Sequence, residues 1–128
     1  NLGHHFTFTG FLPPHIIPAM VDMADVLVSP RLQGTNSPLK IYSYLRSGRP
    51  VVATRHITHT QILNDAVAVL AEPNSDDFAN GILAVLEDKK RKEAIVTAAR
   101  KLAEEKYGYN DYLKKTQTVL ELATEVVS

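Results

Sequence analysis

The chain has 128 residues, which fits one compact domain with a real core better than two. Fourteen basic side chains balance fourteen acidic ones, so overall charge makes no case for nucleic acid or an anionic membrane surface. The absence of cysteine excludes a disulfide scaffold and any thiolate metal centre and favours the cytoplasm, and no apolar run approaches the roughly 20 residues that span a bilayer.

The opening NLGHHFTFTGF lacks the charged-then-apolar layout of a signal peptide, and a strand so close to the start is what a chain beginning inside a larger one would show. His4 and His5 are expected at the surface. Residues 6–9, FTFT, alternate and end at Gly10, which predicts a strand. Pro13 and Pro14 punctuate, and Ile16, Ile17, Met20, Val21 and Met23 then predict a short helix over 16–24. VLVSP at 26–30 is a continuous apolar run ended by proline, which suits a strand covered on both faces. A helix follows over 38–47, a second such strand at 50–54 (PVVAT), a turn or two of helix at 59–65, and a third strand at 66–71 (AVAVLA). Asp76 and Asp77 open a helix over 76–87 with Phe78, Ile82, Val85 and Leu86 on one side.

The composition then changes. Residues 91–106 are rich in Ala, Lys and Glu, and 111–127 carry Tyr112, Leu113, Thr116, Val119, Leu120, Ala123 and Val126 at helical spacing. Gly108 is the expected stop between these helices and Asn110 the expected start of the second. The KKRK run at 89–92 reads as solvated surface, because acidic residues flank it.

Strands alternating with helices of about a dozen residues predict βαβ units and a parallel sheet. Ligands of such sheets sit outside the carboxyl ends of the strands, where the loop 31–36 falls. Gly34 allows close backbone approach there, and Thr35, Asn36 and Ser37 carry donors. Ser37 suits the N-cap of the next helix and Pro38 its first position. First-turn amides lack helical partners and the helix dipole is positive at that end, so Lys40 is unfavourable there unless an anion is bound. Arg31 would add a second positive charge. The plainer alternative is that Ser-Pro merely starts a helix and Lys40 points into water. Arg46, Gly48 and Pro50 supply ordinary helix termination.

The segments FTFTGFLPPHIIPAMVDMADV, ADVLVSPRLQ and GTNSPLKIYSYLRSGRPVVAT together resemble the C-terminal, nucleotide-sugar-binding half of the retaining GT-B glycosyltransferases (glycosyl transferases group 1, family 4-like), over about residues 6–88. The resemblance implies an incomplete Rossmann-like α/β domain, a parallel sheet flanked by helices, with a donor-binding core at 1–88 and a two-helix tail at 89–128. It implies that Gln33, Gly34, Thr35, Asn36, Ser37, Pro38, Leu39 and Lys40, with Arg31, hold the donor diphosphate and sugar. Gly10, Phe11 and Leu12 would lie near the nucleobase. A pair of glutamates commonly frames this segment in the family, the first on the sugar and the second on the ribose. Here those positions are Gln33 and Ser43: Gln33 keeps hydrogen-bonding reach without charge, and Ser43 is too short to hold ribose as glutamate does. The acceptor domain and a further strand and helix would precede Asn1, so this chain alone is not expected to transfer sugar, and no catalytic residue is assigned. The complete enzyme would be cytoplasmic, or peripheral to a membrane.

His56 and His59 could share a helical face, but no carboxylate or cysteine completes a metal site at recognised spacing, so neither metal nor other cofactor is expected. Thr58 or His59 would cap the short helix, and His59 and Thr60 are minor donor-site candidates by the resemblance. Tyr42 and Tyr44 read as packing residues. Expected partners are the nucleotide-sugar donor, the acceptor domain, and a second copy of the chain against the apolar stripe of 111–127. The alternative is a non-catalytic nucleotide-binding or structural α/β module.

Overall fold

Three short apolar runs build the sheet. The computed structural model describes residues 2–127, and at 109–111 and 127 the backbone alone. Strands β1 (Leu27–Ser29), β2 (Val51–Thr54) and β3 (Val69–Ala71) are parallel and lie in the order β1-β2-β3. Leu27 pairs with Val51 and Val52 with Val69, which sets the register. The helices are α1 (Ile17–Met23), α2 (Lys40–Arg46), α3 (Ile57–Thr60), α4 (Ser75–Glu87), α5 (Lys89–Lys106) and α6 (Tyr109–Val127), with 3-10 turns at Gly3–His5 and Pro14–Ile16.

Every residue of β2 is buried, as a central parallel strand requires. Alternation sends Val51 and Ala53 to one face, with Leu27 and Leu70, against Ile41 and Leu45 of α2 and Ala99 and Ala103 of α5. Val52 and Val69 face the other way onto Val85 of α4 and Ile95 of α5. Gly81 lets α4 approach closely, since a Cβ there would stand 3.2 Å from Val69 Cγ1. Two side chains cap the long helices: Asn74 Oδ1 accepts the Asp77 N–H at 2.8 Å, and Asp88 Oδ1 accepts the Arg91 N–H at 3.0 Å. At the end of α2, Gly48 takes φ +79, and Arg46 Nη1 donates to the Tyr107 carbonyl at 3.1 Å.

Several expectations change. Residues 6–9 form no strand; they run uncovered, with Phe8 94% exposed. Alternation gives a strand its side-chain pattern, but a ladder needs a neighbour, and no described residue pairs with 6–9. Among the described residues β1 lies at the edge of the sheet, and Val28 on one of its faces is exposed. The third strand starts late because Asn64 Oδ1 accepts the Ala66 N–H at 2.9 Å and turns residues 65–67. Leu86 faces solvent on α4.

Helix α5 packs on the core, because Ile95, Ala99 and Ala103 recur every fourth residue and the two alanines let it lie close to α2. Gly108 separates α5 from α6 for a steric reason: a Cβ there would meet the Glu104 carbonyl oxygen at 2.7 Å. The side chain of Asn110 lies outside the described residues. Tyr112, Leu113, Val119, Leu120, Leu122 and Val126 of α6 are all exposed. Among the described residues no helix is long and apolar enough to cross a membrane.

Candidate functional site

The loop between β1 and α2 folds around its own arginine. Arg31 Nε donates to the Gln33 carbonyl at 2.9 Å and Nη1 to the Asn36 carbonyl at 3.2 Å. Nη2 lies over Gly34, which has φ +96: a Cβ there would stand 2.8 Å from it and push the guanidinium aside. Arg31 therefore shapes the loop from within, in addition to leaving a charged, exposed guanidinium at the carboxyl end of β1. A second clamp comes from beyond α3. Gln61 Nε2 donates to the Thr35 carbonyl at 2.7 Å, and Ser37 Oγ donates to Gln61 Oε1 at 3.4 Å.

Ser37 is thus not the N-cap of α2. That position falls to Leu39, in helical geometry and without a capping side chain, and Lys40 is the first helical residue. Pro38 precedes the helix, its fixed φ opening a tight turn. The Ile41 and Tyr42 amides close that turn onto the Pro38 and Leu39 carbonyls at 3.1 and 3.3 Å. Of the amides expected to await an anion, those of Leu39 and Lys40 stay outside this ladder. The Lys40 ammonium is exposed and sits 5.9 Å from the centre of the Tyr44 ring.

Below the loop, His59 is fully buried. Its Nδ1 lies 2.8 Å from the Thr54 carbonyl and its Nε2 2.8 Å from Ser29 Oγ. A carbonyl only accepts, so Nδ1 carries the proton, and Ser29 donates to Nε2. The Thr54 hydroxyl, 3.1 Å from Nδ1, donates to the Arg31 carbonyl. Burial pushes the imidazole pKa below its usual 6.5; the Thr54 carbonyl pulls it back up in part, and the positive charges of Lys40, His56 and Arg31 push it down further. His59 is therefore buried beneath the loop, whereas Thr60 is exposed on α3. The cap of α3 is neither Thr58 nor His59 but His56, whose Nδ1 accepts the Thr58 N–H at 3.3 Å.

The nucleoside-side candidates separate. Leu12 lines a cavity of about 400 Å³ with Ile17, Met20, Val21, Leu27, Lys40 and Tyr44. Ser43 lines a neighbouring one of about 510 Å³ between α1 and α2, and the two share Ile17 and Val21 as walls. Gly10, at φ +65, and Phe11 stand in solvent. Gln33 and Gly34 line a third concavity with Pro30, Arg31 and Leu32. Tyr42 packs edge-on against Tyr107 at 5.0 Å, and Tyr44 is half-buried; burial raises its pKa. The network residues Ser29, Thr54 and Gln61 carried no local signal in the sequence, since each partner is distant along the chain.

A family model described as Glycosyl transferases group 1 matches residues 1–102. An uncharacterized glycosyltransferase of Methanocaldococcus jannaschii is 30% identical over 131 residues, which take in 99% of this chain and 33% of that protein. The chain thus spans about a third of this curated relative's length. Among solved structures, a sucrose-phosphate synthase of Thermosynechococcus elongatus superposes with a TM-score of 0.81 at 20% identity, over 97% of this chain and 32% of that one. The Anabaena HepE protein, in complex with UDP and glucose, gives 0.78 at 21% identity, over 97% and 33%. These two likenesses establish a shared fold.

Proposed function

The chain belongs to the glycosyl transferases group 1 family, and on that premise we propose that it is the donor-binding part of a retaining glycosyltransferase. That enzyme passes a sugar from a nucleoside diphosphate to an acceptor held by a domain outside this chain, so the chain alone does not catalyse transfer.

The observation that carries the reading is the placement of Lys40. It opens α2 at the carboxyl end of the parallel sheet, borders the apolar cavity reached by Leu12, and adds positive charge at His59 together with Arg31. A base fits the apolar cavity and a diphosphate fits the cations beside it. In this reading the residues 33–39 line the diphosphate and sugar, Gln33 hydrogen-bonds the sugar, and Ser43 leaves the ribose without the charged partner usual at that position. As the bond from the anomeric carbon to the diphosphate oxygen breaks, negative charge grows on that oxygen. An ammonium and oriented amides already in place, with no metal, lower the cost of that charge. The enzyme is assigned to the cytoplasmic side, free or peripheral to a membrane.

HepE holds UDP, so uridine nucleotides are the first ligands to try. A thermal-shift panel of UDP-, GDP- and ADP-sugars tests the reading. A rise in melting temperature with one nucleotide supports it. No shift with any of them at millimolar concentration overturns it in favour of a non-catalytic structural module.

A further inference from the structure

The donor-site reading makes no use of His59, yet no other imidazole among the described residues is fully buried. We propose that His59 is a positioning residue for the diphosphate site, acting through Thr54 on the carbonyl of Arg31.

The imidazole joins the last residue of β1 to the last residue of β2: Ser29 Oγ donates to Nε2 and Nδ1–H donates to the Thr54 carbonyl, each at 2.8 Å. Thr54 passes the constraint on, because its hydroxyl donates to the Arg31 carbonyl. Arg31 in turn sets the course of residues 33–36 through its bonds to the Gln33 and Asn36 carbonyls. The loop thus starts from a backbone point fixed by His59 and is wound on a side chain that leaves from that point. A ring of this size in a closed site would suffice for packing, but packing needs no particular proton arrangement. This one requires the proton on Nδ1. Burial favours the neutral ring, and the charged groups that act on it, Lys40 on α2, His56 at the start of α3 and Arg31 in the loop, all positive or capable of it, push the same way.

The inference rests on the donor-site reading, and two pairs of variants separate them. His59→Asn retains a donor close to the Nδ1 position, towards Thr54, and loses the Ser29 bond. His59→Gln retains an acceptor near the Nε2 position, towards Ser29, and loses the Thr54 bond. Both lower the melting temperature. Calorimetric titration with UDP and, separately, with inorganic pyrophosphate is expected to leave His59→Asn within about threefold of the wild type and to weaken His59→Gln about tenfold, the effect of one lost buried hydrogen bond. Should either variant fail to fold, Thr54→Val removes the hydroxyl that reaches Arg31 and Thr54→Ser keeps it. Thr54→Val should then bind about tenfold more weakly and Thr54→Ser like the wild type. Nitrogen NMR of the wild type should show the Nδ1–H tautomer, with a pKa that rises when pyrophosphate is added, because the anion offsets Lys40 and Arg31.

If the wild type binds none of these ligands, the donor-site reading fails and takes this proposal with it. If the wild type binds but the two variants of a pair lose affinity equally, or neither loses any, His59 is packing alone. The positioning role is then overturned while the donor site stands.

Discussion

Replacing Lys40 by alanine separates a ligand-binding cation from an ordinary surface lysine. Three terms bear on stability. The contact with the Tyr44 ring, 5.9 Å away and largely wet, is lost at a cost of about 0.5 kcal/mol. Relief of a positive charge from the first turn of α2 returns about 0.3–1 kcal/mol, and alanine's better helix propensity adds a few tenths, about 0.3 kcal/mol. The sum is near zero, or slightly stabilising. Binding behaves otherwise, since a charge-assisted hydrogen bond to phosphate contributes about 1.5–3 kcal/mol, or roughly ten- to a hundredfold in affinity. Lys40→Ala should therefore leave the urea midpoint within error and weaken UDP by that factor in isothermal titration. The wild-type affinity should also fall with added salt while the variant's falls less. Unchanged affinity, or a matching loss of stability, would refute the assignment of Lys40 to the diphosphate.

His59 predicts a pH dependence. Its folded pKa lies below 6.5, so between the folded value and 6.5 the native state binds fewer protons than the unfolded one. Its contribution is complete above 6.5 and is lost as pH falls through that window; urea midpoints measured from pH 8 to 4.5 should show a decline that His59→Asn lacks, and parallel profiles would contradict it. Gly48→Ala, at φ +79 with its new Cβ 2.3 Å from Arg100 Nη2, should destabilise by about 1–2 kcal/mol in chemical denaturation. Gly34→Ala meets the same conformational obstacle, at φ +96, in an exposed loop. It should cost about 1 kcal/mol in stability, displace Arg31 and weaken nucleotide about tenfold by titration. The apolar face of α6 should drive self-association, visible by light scattering and reversed by Leu120→Glu; a monomer at high concentration would count against it.

What the sequence revealed was local. The alternation of strands and helices, the Gly48 stop, the opening of α4 and the place of Lys40 each follow from residues a few positions apart, within one turn or one strand. Even α5 was legible in principle, since Ile95, Ala99 and Ala103 mark a narrow small-residue face of the kind that lets two helices lie close. Ser37 has the chemistry of an N-cap two residues early, but its hydroxyl meets Gln61: composition described what the residue could do, and a neighbour remote in the chain decided what it does. FTFT and the outer side of β1 have no strand beside them among the described residues.

The same distinction governs the site. Ser29 and His59 are thirty residues apart, and Ser37 meets Gln61 across twenty-four. Periodicity cannot register such pairs, because a satisfied buried polar group leaves no trace except its burial. Arg31 shows the consequence for assigning ligands from sequence. The sequence suggests only its charge; in the fold, two of its nitrogens also hold the carbonyls of Gln33 and Asn36. That engagement turns those carbonyl oxygens inward onto the guanidinium. A loop of small polar residues becomes suited to a diphosphate when its acceptors are occupied, because exposed carbonyl oxygens would repel phosphate as strongly as amides attract it. On the proposed donor-site reading, Lys40 and Arg31 both bring positive charge to this site, and Arg31 also holds the loop beside it in shape.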